Sequence, residues 1–119
     1  MTAVEPPSAA GRPRVLLDES IPHDLLLPLG SLDVTTVQAL GWAGIKNGAL
    51  LQAAREAGYH ALITVDRRME YQQNISASGL ALIVLRARST RLIDLLPLVP
   101  RLLASIAEAK AGQVTHVAV

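Results

Sequence analysis

Three short apolar runs constrain the fold of this chain most strongly: "RVLL" near the start, "ALITV" in the middle and "GLALIVL" further on. None alternates between apolar and polar residues, so each reads as a strand covered on both faces, and strands of that kind belong to parallel sheets. Parallel neighbours need long crossovers, and the segments between the runs carry helical patterns of suitable length. The expected fold is α/β, a three-layer sandwich around a mostly parallel sheet of about five strands.

Residues 15–17 form the first strand, with Ser20 placed to cap a helix that opens near Ile21 and carries Pro22 in its first turn. Pro28 and Gly30 stop that helix, and the β-branched stretch 33–37 makes a second strand. In "NGALLQAAREAGY", Leu50, Leu51 and Ala54 mark an apolar stripe, with Asn47 as N-cap and Gly58 as the C′ residue. Residues 60–65 and 79–85 are the third and fourth strands. From Thr90 the apolar residues keep helical spacing as far as Ile106, but Pro97 and Pro100 must kink or split that helix. The closing "QVTHVAV" reads as an edge or near-edge strand.

At 119 residues the chain is expected to be one domain, with residues 1–12 a flexible tail and 13–119 the folded unit. Half of it is hydrophobic yet only 3% is aromatic, so Leu, Ile, Val and Ala must build the core. The absence of cysteine removes disulfides, thiolate nucleophiles and cysteine zinc sites, and makes the cytoplasm the expected location. No signal peptide and no membrane span are expected, since the start lacks a continuous apolar stretch and no later one is long enough. A net charge of +1 gives no global pull on nucleic acid, so any such binding must come from where the charges sit.

Their placement is informative. The first and third strands both run into acids, Asp18 with Glu19 and then Asp66, and open parallel sheets bind ligands outside the carboxyl ends of their strands. Gathered carboxylates repel and resist desolvation, so they call for a cation, a shared proton or ample water. Mg²⁺ or Mn²⁺ is the natural counter-charge for oxygen ligands, and either activates water and polarises a phosphodiester. Asp18, Glu19 and Asp66 are thus the candidate catalytic and metal-binding residues. The plainer alternative makes Glu19 a solvated loop residue and Asp66 a helix cap.

Lys46, Arg67, Arg68, Arg86, Arg88 and Arg91 all follow expected strands or open expected helices, and would ring the acids if the strand ends face one way. Guanidinium groups hold phosphates by paired hydrogen bonds, so such a rim suits a polyphosphate backbone, although each arginine alone reads equally well as solvated surface. Other candidates carry less. "GWAGIKNG" lacks the ending of a phosphate loop, His23, His60 and His116 lack ligand spacing, and Ser20 has no base beside it. Trp42 and Tyr71 are read as filling gaps between loop and core, with base stacking the alternative.

"RVLLDESIPHDLL", "GWAGIKNGALLQAA" and "ALITVDRRMEYQQN", in that order, resemble the bacterial PIN-like proteins related to the VapC toxins, over nearly the whole chain from Arg14. The resemblance implies a parallel sheet of PIN-like type, a divalent-metal acidic site with ribonuclease activity, and a small DNA-binding antitoxin as partner. Asp18, with Glu19 beside it, and Asp66 match the acids that end two of the family's strands. Two positions depart: relatives carry a carboxylate in the helix start where this chain has Asn47 and Ala49, and a second acid where it has Arg68. The expected activity is that of a metal-dependent ribonuclease and toxin, with RNA and an antitoxin as partners and a homodimer as an open expectation. Two rival readings stand beside it. One is a non-catalytic relative that binds RNA or an antitoxin; the other is a receiver-like phosphoacceptor with Ser89 or Thr90 as its hydroxyl residue, although the last strand offers no lysine at its end.

Overall fold

The computed structural model describes residues 13–119, so the expected tail lies outside the described residues. Five strands, β1 (Arg14–Leu17), β2 (Asp33–Thr36), β3 (Ala61–Thr64), β4 (Ala81–Arg86) and β5 (Val114–Ala118), form one sheet in the order β2-β1-β3-β4-β5. Every pairing is parallel, which goes beyond the mostly parallel sheet expected. The strand from "QVTHVAV" takes one edge, as its mixed exposure requires.

The unbroken apolar runs serve both faces. Val15, Leu17, Ile63 and Ile83 point into one core, against helices α3 (Leu92–Leu95) and α4 (Val99–Ala107) and a 3-10 helix, His23–Leu26. Leu16, Leu62, Leu82 and Val84 point into the other, against helices α1 (Asn47–Glu56) and α2 (Arg68–Gln72). The result is a three-layer α/β sandwich, and its two cores hold no aromatic side chain other than Tyr59 and the half-buried Trp42.

Local chemistry sets the element ends. Pro97 and Pro100 split the last helical stretch as expected: each sits in the first turn of a new segment, Leu96–Leu98 of 3-10 type and then α4, where a missing N–H costs nothing. Gly58 has a φ of +88° after α1, and a Cβ there would lie 3.1 Å from Arg14 Nη1. That guanidinium spans the amino end of the sheet, pairing with Asp33 (3.2 Å) and donating to Ala57 O (2.9 Å) at the negative end of α1.

Two expected caps are corrected. Ser20 does not cap a helix at Ile21: the only helical turn there is His23–Leu26, preceded by Pro22, because the Ser20 N–H and hydroxyl are both drawn to Asp18. Asn47 is the first residue of α1 rather than its cap, a place held by Lys46. Tyr71 fills no gap, since it is 78% exposed on α2, whereas Trp42 packs against the core as expected.

Candidate functional site

The chain leaves β1 toward one side of the sheet to make β2, then crosses back to the other side of β1 to make β3. Outside the carboxyl ends of β1 and β3 the two crossovers diverge, and this switch point is where open α/β sheets leave a crevice for ligands. Asp18 follows β1 directly and Asp66 follows β3 by one residue, so the topology brings the two acids together across adjacent strands.

Asp18 is 5% exposed and caged by donors. Its Oδ1 accepts from the Ser20 N–H (2.8 Å) and the Ser20 hydroxyl, and its Oδ2 accepts from the Thr64 hydroxyl. The two hydroxyls are themselves held: Ser20 Oγ accepts from the Val65 N–H (3.3 Å) and Thr64 Oγ1 from the Asp66 N–H (2.9 Å). Burial pushes the Asp18 carboxyl above the ordinary carboxylate range, the Ser20 and Thr64 hydrogen bonds pull it back in part, and the nearby charge of Asp66 adds a smaller upward push.

Asp66 is held differently. Its two oxygens face the Arg68 guanidinium as a fork, Oδ1 to Nε at 3.1 Å and Oδ2 to Nη2 at 3.3 Å, while Oδ1 also accepts from the Arg68 N–H (2.9 Å). The Arg68 hydrogen bond, foremost, holds the Asp66 carboxyl below its ordinary range, and the nearby Asn47 side chain adds a smaller pull in the same direction. The start of α1 therefore lies over the acids through Asn47. Asp66 also does what a helix-capping acid does, since it binds the first N–H of α2.

Glu19 is exposed, and its Oε1 accepts from the Gly44 N–H (3.0 Å), which ties it to the loop after β2 rather than to Asp18. Among the described residues, no three His, Asp or Glu side chains gather as a metal-binding group. The basic rim lies at one end of the sheet but in two parts. Lys46, Arg67 and Arg68, all exposed, flank the ends of β1 and β3. Arg86 and Arg88, also exposed, line a separate cleft with Ile93, Asp94, Pro97 and Val119, while Arg91 is 3.5 Å from Asp94.

Sequence reasoning passed over Thr64 and Glu70, and set His116 aside for want of ligand spacing; His116 Nε2 meets Glu70 Oε1 and joins β5 to α2. Thr64 carried a usable signal, because a hydroxyl in an otherwise apolar strand must find partners once buried. Thr64→Val removes the donor to Asp18 and the acceptor for the Asp66 N–H at nearly constant volume. It should cost about 1–3 kcal/mol, measured by urea unfolding at neutral pH. Compared with family models, with curated proteins and with solved structures, the chain matches none.

Proposed function

We propose that this chain is a PIN-like domain protein that binds single-stranded RNA at the switch point and cleaves it with a divalent cation held by Asp18 and Asp66, as the toxin of a toxin–antitoxin pair. The observation that carries this reading is the meeting of two acids at the adjoining ends of β1 and β3, one caged by hydroxyls in a buried position and the other paired with Arg68. Folding gains little from a desolvated carboxylate, so its retention beside a second acid points to chemistry.

The donor set fits a hard cation in kind, being carboxylate oxygen only, and is sparse in number, because Glu19 is turned to Gly44 and Asn47 stands where a third acid would serve. When bound there, Mg²⁺ or Mn²⁺ supplies positive charge for the phosphodiester and activates water. The chain's own residues do the rest: Ser20 and Thr64 fix Asp18, the Arg68 N–H aims Asp66, and Lys46 with Arg67 and Arg68 takes the backbone phosphates. The exposed ring of Tyr71, on the helix that carries Arg68, gives an unpaired base a surface to stack on.

The receiver-like reading gains from the strand order, which receivers share. It loses at the residues, since the Ser89 hydroxyl is given to Asp94 and β5 ends in Ala118 with no lysine.

Calorimetric titration with Mn²⁺ and cleavage of a labelled single-stranded RNA test the proposal together. Asn47→Asp should raise Mn²⁺ affinity by about tenfold, since carboxylate charge tunes such sites over decades. No Mn²⁺ binding by either protein would end the nuclease reading and leave the RNA-binding relative. For the rim, a Lys46→Ala, Arg67→Ala double variant should bind RNA more weakly whatever its sequence. The slope of log affinity against log salt should flatten by about 0.7 per lost contact. An unchanged slope would return these side chains to solvated surface.

A further inference from the structure

Arg68, which the ribonuclease reading gives to phosphate, is engaged elsewhere in the free protein: its guanidinium closes on both oxygens of Asp66, one of the two carboxylates that meet at the switch point among the described residues. A cation that ligates Asp66 competes with the guanidinium, by like-charge repulsion and for the same oxygens. The geometry makes the displacement easy, because the Arg68 side chain is 77% exposed and exposed ion pairs are weak. The carboxylate would keep its aim, since the Arg68 backbone N–H still holds it. The departing group has a destination as well. A phosphate offers a guanidinium the same two-point contact as a carboxylate, and Arg67 is exposed beside it to share the load.

We propose that Arg68 is a transferable counter-ion that neutralises Asp66 in the free protein and moves to an RNA phosphate when RNA binds, so that RNA and the divalent cation bind cooperatively. This rests on the ribonuclease reading above. Thermodynamic linkage makes the effect reciprocal: RNA tightens the metal by the factor by which the metal tightens RNA. In the cell the arrangement would bias the divalent cation toward RNA-bound protein by that same modest factor. Arg68 acts here as a positioning residue, through Asp66, and its signature is a coupling rather than a rate.

The test is Mn²⁺ titration by calorimetry of the full chain, alone and saturated with a 2′-O-methyl oligouridylate, after subtracting metal uptake by the oligonucleotide. For the unaltered chain, the oligonucleotide should tighten Mn²⁺ by about two- to fivefold, the range open to an exposed ion pair. Arg68→Ala should bind Mn²⁺ tighter than the unaltered chain by a similar factor without oligonucleotide, and show no further gain with it. Arg68→Gln, which keeps the length but not the charge, should behave as Arg68→Ala does. Equal Mn²⁺ affinity in the unaltered chain and both variants would overturn the counter-ion proposal and leave the ribonuclease reading standing. No Mn²⁺ uptake by any of the three would overturn both.

Discussion

Asp18→Asn should abolish Mn²⁺ binding and RNA cleavage while leaving a protein that is more stable than the original at neutral pH by about 1 kcal/mol, the usual sign of a residue kept for activity. The Asn oxygen still accepts from the Ser20 N–H, and the hydroxyls of Ser20 and Thr64 turn to suit, so the cage around position 18 survives. What disappears is the desolvated charge. Burial raises the Asp18 carboxyl in the folded chain, so between the ordinary carboxylate range and that raised value the folded state holds a proton that the unfolded state has released. Stability therefore falls as pH rises through that interval and stays lower above it. The substituted protein does not titrate at this position, so its advantage should grow through the same interval and vanish below it. Asp66 behaves oppositely: its lowered carboxyl contributes stability above the ordinary range, lost as pH falls through its folded value. Urea midpoints for both proteins across acid to neutral pH read the first effect. Cleavage should drop at least about a hundredfold, beyond the loss usual for disturbing a mere neighbour of a metal ligand. An unchanged cleavage rate would remove Asp18 from the site.

The second large effect lies in the core. Leu62→Ala on β3 should destabilise the protein by about 2–5 kcal/mol, enough to unfold much of it at physiological temperature. Leu62 is fully buried, and β3 sits between β1 and β4 at the middle of the sheet, where no solvent-facing movement can close the void. The same change at Leu27, which is 79% exposed, should fall within about 0.5 kcal/mol. Thermal unfolding of the two variants side by side gives the contrast, and equal losses would mean that β3 is not the central strand.

β1, β3 and β4 were legible because their apolar runs are unbroken and short, the pattern of strands covered on both faces, and β2 because it is β-branched. Their bounds differed from expectation by a residue or two, as at residues 33–37, where the ladder stops at Thr36. The breaks at Pro97 and Pro100 were legible because a proline's missing N–H acts locally. Asp18 and Asp66 stood out as acids ending apolar runs, a local pattern too. Hidden were the features that depend on distant partners. Ser20 reads as a cap until a buried carboxylate two residues earlier claims it, and that burial depends on β3. Arg68 is a local exception, paired with an acid only two residues earlier, and it reads as one more rim cation because the fork depends on how the turn after β3 is shaped. Glu19 could not be separated from Asp18 without knowing that the loop at Gly44 would engage it.

An all-parallel sheet contains no hairpin, and this bears on how the protein is made. The hydroxyl of Thr64 that grips Asp18 lies 46 residues further along the chain. A ribosome adding about 5–20 residues per second leaves β1 without its inner neighbour for about 2–9 s, with an apolar strand and its acid both unprotected. Pairing with β2 offers little shelter, since β2 is itself an edge strand. The newborn chain is thus most exposed to chaperones and proteases before β3 emerges. Damage to β3 should be felt first as a lower yield of folded protein, ahead of any loss in the activity of the molecules that do fold.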